Sequence, residues 1–312
     1  MKNIIEAKSL TKKFGALTAV NGINLEVKEG EIFGFLGPNG AGKTTTISML
    51  TTLMKPTLGT ALVAGYDLIK ESSLVRSAIG VVPQSFSLFP ELTAEENVAY
   101  IGKLYGMKDS AIKERTASLL RIVSLYEHKD RISGKFSGGM KQRLSVAAGI
   151  MSNPKVLFMD EPTTGLDPQS RIAIRELTRS LNKSGMTILY TTHDMEEAEK
   201  LCSRIAIMDK GSIIALGTSA EIKGAIKDGH LVEVELESYS KDIAADIKKL
   251  PYVLSVHLNE RIINIRVSNN KGIFFRLSDF FNKRNIKVLE IKIKEHSLED
   301  VFIRLTKKDL RD

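Results

Sequence analysis

The chain has the composition of an ordinary globular protein: of its 312 residues, 43% are hydrophobic and 26% are charged. Glycine and proline, with 23 and 8 residues, are too few for a collagen-like, fibrous or low-complexity chain. Apolar runs reach about six residues, whereas a membrane-spanning helix needs about 20, so we expect no such helix. At roughly 150 residues per domain, the length predicts about two domains.

The net charge of +8 comes from basic residues dispersed along the chain, with no run of Lys or Arg longer than two. Dispersed charge indicates a solvated surface, so we expect no nucleic acid partner. Cys202 is the single cysteine and has no nearby Cys or His, which predicts a buried thiol without disulfide or metal. The first six residues turn acidic before any apolar stretch and predict no export signal, so we expect a cytoplasmic chain.

From residue 1 to about 218, short β-rich runs alternate with helical patterns. In one run Ile23, Leu25 and Val27 alternate with other residues, as in a strand with one buried face. The other predicted strands are residues 32–36, 80–82, 156–159, 187–190 and 205–208. Strands that alternate with helices are typical of a mainly parallel sheet covered by helices, so we predict an α/β domain at residues 1–218.

Residues 93–128 show only helical patterns. Thr93 is followed three residues later by Glu96, the sequence of a capping box. One apolar face then follows at helical spacing: Ile112, Thr116, Leu119, Leu120 and Val123. We therefore predict a helical subdomain inserted into the α/β domain at about residues 86–150.

The pattern changes after Gly217. A linker at residues 219–229 carries a short helical pattern over 220–227 and ends in Asp228 and Gly229, a predicted break. Residues 230–312 then read strand, helix, strand, strand, helix, strand at 231–237, 240–250, 252–258, 261–268, 272–283 and 286–294. This βαββαβ order predicts a C-terminal α+β ferredoxin-like domain, followed by a final helix that opens at Ser297.

A glycine-rich segment between a buried strand and a helical run fits the pattern GxxxxGK[ST]: Gly37, Pro38, Asn39, Gly40, Ala41, Gly42, Lys43 and Thr44. Glycines let successive N–H groups point inward, so such a phosphate loop forms a nest for anions at a helix N-terminus. Lys43 supplies positive charge for the outer phosphates, and the Thr44 hydroxyl is a hard oxygen ligand that suits Mg²⁺. The segment predicts a P-loop NTPase that binds a nucleoside triphosphate.

Two carboxylates follow the apolar strand at residues 156–159. Because side chains alternate along a strand, adjacent acids at its tip point in different directions and can have different functions. We expect Asp160 to face the Mg²⁺ ion and Glu161 to face a water in line with the γ-phosphate.

Further motifs follow in a fixed order. Gln84 follows the strand at 80–82, and residues 136–143 (FSGGMKQR) precede the strand that leads to Asp160 and Glu161. Residues 165–167 (GLD) follow these two carboxylates, and His193 ends the next strand. With the phosphate loop, this order resembles the ATP-binding cassette (ABC) proteins, the nucleotide-hydrolysing subunits of ABC transporters. The resemblance covers residues 1 to about 218.

The resemblance implies further roles. Ser137, Gly138 and Gly139 open a helix and would face the γ-phosphate held by a second cassette, so two copies would pair head to tail around ATP. Glu161 would be the general base, His193 would contact the γ-phosphate, and Gln84 would ligate Mg²⁺ or the water. Phe14 would stack on adenine, and Asp167 would cross the dimer interface. The other nucleotide-binding residues would be the eight phosphate-loop residues and Thr45.

One departure from the family pattern concerns the signature. Phe136 and Met140 stand where the family usually has Leu and Gln, so these two side chains should have no polar ligand role. Together with residues 297–302 (SLEDVF), this form is similar to the drug-resistance (daunorubicin-type) branch of exporter ATPases.

The sequence thus predicts the ATP-hydrolysing subunit of a membrane exporter, peripheral on the cytoplasmic face of the membrane, which drives a separate transmembrane permease. Two alternatives stay open: an importer ATPase with a regulatory C-terminal domain, and a soluble ABC ATPase that acts on nucleic acid or ribosomes. A neighbouring gene for a binding protein would favour import, and a neighbouring gene for a permease of about six spans would favour export. Co-fractionation of the ATPase activity with ribosomes or DNA would favour the soluble class.

Overall fold

A computed structural model describes residues 2–225, 229–238, 242–268, 271–294 and 296–308. The chain forms two compact units, residues 1–219 and 220–312. Within the described residues, no helix has both the length and the apolar character that a membrane crossing requires.

The elements of the first unit are numbered in chain order. Its strands are β1 (Asn3–Phe14), β2 (Leu17–Lys28), β3 (Ile32–Leu36), β4 (Leu58–Val63), β5 (Tyr66–Asp67), β6 (Ile79–Val82), β7 (Val156–Asp160), β8 (Thr187–Thr192), β9 (Arg204–Asp209) and β10 (Ser212–Gly217). Its helices are α1 (Lys43–Leu50), α2 (Ser72–Ala78), α3 (Ala94–Leu104), α4 (Asp109–Ile122), α5 (Gly138–Gly149), α6 (Pro168–Lys183) and α7 (Met195–Leu201). The helix α8 (Ser219–Gly224) begins at the boundary between the units.

A six-stranded sheet in the order β10-β9-β3-β8-β7-β6 forms the centre of this unit. The pairs from β9 to β6 are parallel, and only β10 runs antiparallel to its neighbour β9. Every residue of β3, β7 and β8 is buried, which explains why these strands read as continuous apolar runs in the sequence. The predicted mainly parallel α/β sheet is confirmed.

A second, antiparallel sheet in the order β2-β1-β4-β5 was predicted only in its strand β2. The pairing of β1 with β2 shifts register at several points, and Ser9 within β1 has φ 49°. Bulges of this kind interrupt the alternation of buried and exposed residues, so β1 carries no period-two signal. The neighbouring strand β4 passes close to Ser9. A Cβ on Gly59 of β4 would lie 2.2 Å from the Ser9 carbonyl oxygen, so position 59 has no room for a side chain.

The helices α3, α4 and α5 fall within the predicted helical segment. The capping box of Thr93 and Glu96 at the start of α3 is confirmed, as is the buried face of α4. Arg115 of α4 donates to the Ile150 and Met151 carbonyl oxygens after α5, and Arg143 of α5 donates to carbonyl oxygens after α4. Because each arginine caps the other helix, we expect α4 and α5 to move together.

A buried side chain, Asn97 of α3, connects the segment after Gln84 with the turn before α5. Its carboxamide nitrogen donates to three backbone carbonyl groups, including that of Phe89, and to the Ser133 hydroxyl. Its carboxamide oxygen accepts the Phe89 N–H at 2.8 Å. One carboxamide therefore holds together two loops that are distant in sequence.

Replacing Asn97 with alanine should lower the free energy of unfolding by about 2–3 kcal/mol, because several buried polar groups would lose their partner. Urea unfolding followed by circular dichroism measures the change. The control is Lys103→Ala, an exposed position on the same helix, where we expect a change within about 0.5 kcal/mol. Equal stability of the two variants would contradict this role of Asn97.

The second unit contains β11 (His230–Leu236), α9 (Ile243–Lys248), β12 (Val253–Asn259), β13 (Ile262–Val267), α10 (Ile273–Asn282), β14 (Val288–Lys294) and α11 (Leu298–Lys308). Its sheet is antiparallel in the order β12-β13-β11-β14. Alternate residues of β11 and β13, including Val232 and Ile265, pack with Ile247 of α9 and Phe281 of α10 in one core. The predicted order of strands and helices is confirmed.

Parts of the predicted elements lie outside the described residues. They are the last two residues of the helix predicted at 220–227, Asp228 of the predicted break, residues 240 and 241 of the helix predicted at 240–250, and the final four residues of the chain.

Candidate functional site

The glycine-rich segment leaves the end of β3 and enters α1 at Lys43. Gly42, at the helix start, has φ 103°, a conformation that favours glycine. A Cβ on Gly37 would lie 2.4 Å from the Met208 carbonyl oxygen, so the chain can pass here only without a side chain. Lys43 is 4% exposed, and its Nζ donates to the Gly37 and Pro38 carbonyl oxygens at 2.7 and 3.1 Å. The loop therefore curves around an ammonium group.

Glu161 follows directly after β7 and meets the same ammonium group. Its Oε1 lies 3.0 Å from Lys43 Nζ, and its Oε2 accepts the Thr164 hydroxyl at 3.0 Å and lies 3.1 Å from His193 Nδ1. Its φ of 44° is unusual for a residue with a side chain, and such strain is concentrated at functional sites. Three predicted site residues, Lys43, Glu161 and His193, thus form one contact group.

The electrostatics of this group keep Glu161 charged. Burial raises the pKa of its carboxyl, but the hydrogen bond and charge of Lys43, with smaller effects of Thr164 and His193, outweigh burial and hold the pKa below its ordinary value. The carboxylate is therefore ionised near neutral pH, which is the form that a general base requires.

Asp160, the neighbouring acid, makes different contacts. Its Oδ1 accepts the Thr191 hydroxyl at 2.6 Å, and the same Thr191 oxygen accepts the Glu161 N–H at 2.9 Å. The two acids therefore contact different groups, as the alternation along a strand predicts. Thr191 is not among the residues predicted from the sequence, although a hydroxyl inside a buried strand needs a hydrogen-bond partner and so indicates a polar contact there.

The segments that carry the predicted site residues leave neighbouring strands at their carboxyl ends. In the order β3-β8-β7-β6, these ends lead to the phosphate loop, to His193, to Asp160 and Glu161, and to Gln84. Ligands of parallel α/β sheets bind at this edge of the sheet. Gln84 and Thr44 are exposed there, and Thr45 is half-buried.

The signature segment (residues 137–139) opens α5. Ser137 is the N-cap of the helix and accepts the Met140 N–H at 3.3 Å, and Ser137 and Gly138 are exposed. Phe136 is 5% exposed with Arg131 over its ring, which fits the expectation that it has no polar ligand role. In the described part of the chain, no hydrogen bond or ion pair joins Ser137 to Lys43.

Asp167 is exposed and caps α6. Its carboxylate accepts the Ser170 N–H at 2.9 Å and the Ser170 hydroxyl at 2.6 Å. The hydroxyl and the N–H of Ser170 lower the pKa of Asp167. A Cβ on Gly139 would lie 2.2 Å from Ser170 Oγ, so the serine that binds Asp167 also lies against the signature segment.

Phe14 ends β1 and is 47% exposed, with Lys12 Nζ 5.3 Å from its ring centre. The following strand approaches the phosphate loop, since a Cβ on Gly42 would lie 2.6 Å from the Ala19 carbonyl oxygen. An exposed ring on this hairpin can stack on a flat ligand.

Comparison with known proteins agrees with this geometry. A family profile described as ABC transporter matches residues 20–164. The linearmycin resistance ATP-binding protein LnrL of Bacillus subtilis is 40% identical over 99% of this chain and 100% of that protein. The daunorubicin/doxorubicin resistance ATP-binding protein DrrA of Streptomyces peucetius is 36% identical over 97% and 92%.

Among solved structures, a dimeric ATP-binding cassette in a post-hydrolysis state with ADP and phosphate is 30% identical to this chain. It matches with a TM-score of 0.62 over 69% of this chain and 98% of that chain. The chain therefore belongs to the ABC transporter family, as an ATP-hydrolysing, ATP-binding subunit related to exporter ATPases.

Proposed function

We propose that the loops at the carboxyl ends of β3, β8, β7 and β6 bind and hydrolyse ATP to drive export through a separate permease. The observation that carries this proposal is the contact group in which Glu161 lies 3.0 Å from Lys43 and 3.1 Å from His193. Phosphate oxygens bound in the phosphate loop would compete with Glu161 for Lys43, which releases the carboxylate to act as general base on a water. His193 would hold the γ-phosphate.

The proposed nucleotide-binding residues are those predicted from the sequence. The glycine cradle and the N-terminus of α1 supply N–H groups for the phosphates, and Lys43 supplies charge. Phe14, exposed beside the loop, would stack on adenine.

The residues at this edge also fit Mg²⁺. The Thr44 hydroxyl is exposed beside the loop, the Asp160 carboxylate is fixed by Thr191, and Gln84 is exposed at the neighbouring strand end. One carboxylate and neutral oxygens are the donor set with which proteins hold Mg²⁺ next to a phosphate. Thr44, Asp160 and Gln84 would therefore hold the ion, which when bound neutralises charge that develops on the phosphate oxygens.

We propose that two copies pair head to tail, so that the signature segment of each lies against the nucleotide of the other. Ser137 and Gly138 are exposed at a helix N-terminus, which favours an anion, and a related cassette has been solved as a dimer with ADP and phosphate. Asp167, which shares Ser170 with Gly139, would lie at this interface near the second site.

A groove of about 330 Å³ in the first unit is the surface that we assign to the permease. It is lined mostly by apolar residues of β6, α3, α5 and the loop after α1, with Arg76 as a charged residue on its wall. An apolar groove of this kind receives an amphipathic helix, and we propose a cytoplasmic helix of the permease, which holds the chain at the cytoplasmic face of the membrane. Closure of the paired cassettes would then move the permease, because ATP favours the closed state.

The proposed direction is export. Similar proteins are named for linearmycin resistance and for daunorubicin and doxorubicin resistance, and a further one, 38% identical over 99% of this chain, is named a Nod factor export protein in Ralstonia nicotianae. These names favour export over the importer and the nucleic acid alternatives.

We further propose that residues 1–218 are the ATPase domain with its helical subdomain at about 86–150. Residues 219–229 would be a linker, and residues 230–312 a ferredoxin-like domain that helps to hold two copies together. The antiparallel order β12-β13-β11-β14, with α9 and α10 in one core, supports this assignment of the second unit.

The groove proposal is tested by Leu53→Glu. Leu53 lines the groove and is 76% exposed, so the charge should leave the fold intact but disfavour an apolar helix. We expect a loss of about tenfold or more in binding to membranes that contain the permease, with ATP affinity unchanged. The matched control, Leu58→Glu, lies outside the groove at 61% exposure and should bind like the parent. Equal membrane binding of both variants would exclude this groove as the docking site.

A further inference from the structure

One buried carboxylate near the site has no role in the mechanism above. Glu197 of α7 is 3% exposed, and its Oε2 accepts two hydroxyl groups, that of Thr163 at 2.8 Å and that of Thr192 at 3.0 Å. A single oxygen atom thus joins two segments of the chain that are 29 residues apart.

The two threonines belong to the loops that carry the proposed reacting groups. Thr163 stands two residues after Glu161 in the loop between β7 and α6, and Thr192 stands immediately before His193 at the end of β8. The 3.1 Å contact between Glu161 and His193 depends on how these two loops lie relative to each other.

Glu197 is itself fixed from several sides. Its Oε1 lies 3.8 Å from Arg175 Nε of α6, and its N–H donates to Asp194 Oδ1 at 3.0 Å. The Asp194 N–H in turn donates to the Thr192 hydroxyl oxygen at 3.0 Å. The carboxylate therefore connects α6, α7 and both loops, and neither loop can shift without breaking one of these bonds.

We propose that Glu197 is a positioning residue, which through Thr163 and Thr192 holds Glu161 and His193 in the relative arrangement that hydrolysis requires. The inference rests on the proposed roles of Glu161 and His193. Because misplacement of a reacting group by about 1 Å can cost about 100-fold in rate, the loss of this link should lower kcat. Neither threonine nor Glu197 belongs to the phosphate loop, so ATP affinity should change little.

The test compares variants that remove or keep the link in the full-length chain. Thr192→Val and Thr163→Val keep the shape of the side chain but lose the hydroxyl, and we expect kcat to fall about tenfold with KM within about twofold of the parent. Thr192→Ser and Thr163→Ser keep the hydroxyl and should retain parental kcat. Glu197→Ala should show the same loss as the valine variants, and the control, Glu196→Ala at an exposed neighbouring position, should not.

Double variants separate positioning from a general loss of packing. If Glu197 acts through Thr192, the combination of Glu197→Ala and Thr192→Val should lose no more activity than the more impaired single variant. Three outcomes would overturn the proposal. The losses of kcat in the two single variants could multiply in the double variant, the serine variants could be as slow as the valine variants, or the valine variants could keep parental kcat. Glu161→Gln is measured in parallel: if that variant keeps parental turnover, the proposed roles of the site fail independently of Glu197.

Discussion

Turnover of ATP should fall about 10²- to 10⁴-fold when Glu161 is replaced by glutamine, because the variant loses the proposed general base. Binding of ATP should be retained, since the neutral side chain no longer forms the ion pair with Lys43 seen at 3.0 Å and leaves that ammonium group to the phosphates. The nucleotide would then remain in a closed dimer. Single-turnover hydrolysis and gel filtration with ATP and Mg²⁺ measure both effects.

The matched control for Glu161→Gln is Glu176→Gln, the same change at an exposed position on α6. We expect the control to hydrolyse ATP at the parental rate and to elute as the parent does. Hydrolysis by Glu161→Gln at the parental rate would show that another group accepts the proton.

The second large effect concerns Lys43, whose Nζ is enclosed by the Gly37 and Pro38 carbonyl oxygens. Replacing it with alanine removes a charge-assisted hydrogen bond to phosphate of about 1.5–3 kcal/mol, so the Kd for ATP should rise about 10- to 100-fold. Titration calorimetry measures the affinity directly.

An exposed lysine on β1 provides the comparison for Lys43. Lys13→Ala removes the same charge from the first unit but lies outside the phosphate loop, so its Kd for ATP should remain within about twofold of the parent. If Lys43→Ala and Lys13→Ala bound ATP equally well, the phosphate loop would not be the nucleotide site.

The central sheet could be predicted from the sequence because its strands are buried on both faces. The runs that become β3, β7 and β8 are continuously apolar and stand out from their surroundings. The antiparallel sheet around β1 could not be predicted in the same way, because its bulges remove the alternation on which such a prediction depends.

The site residues at the strand ends could be named because each follows a strand and matches a motif, but the contacts between them could not be predicted. Lys43 and Glu161 lie 3.0 Å apart although β8 separates β3 from β7 in the sheet. The order of the strands in a sheet cannot be predicted from the local sequence, so this contact could not be predicted either. The positive φ of Glu161 also has no sequence signal, because such a conformation normally indicates glycine or asparagine.

Glu197 shows a third limit of sequence reasoning. In the sequence it is one of several acids in residues 194–199 (DMEEAE) and has the pattern of a solvated helix start. Only the packing of α7 shows that Glu197 is buried while its neighbour Glu196 is exposed.

The most direct test of the account asks whether one nucleotide is bound by two chains. Two variants are prepared in the Glu161→Gln background, one with Lys43→Ala and one with Gly138→Asp. The aspartate suits the first turn of α5, so that helix should remain stable, but its charge would repel a phosphate group. Neither variant alone should retain ATP through gel filtration.

A head-to-tail dimer of the two variants contains one site with an intact Lys43 from one chain and an intact signature segment from the other. The account therefore predicts that the mixture retains ATP although neither variant does so alone. Failure of the mixture to retain ATP, with the Glu161→Gln parent retaining it under the same conditions, would contradict the shared site.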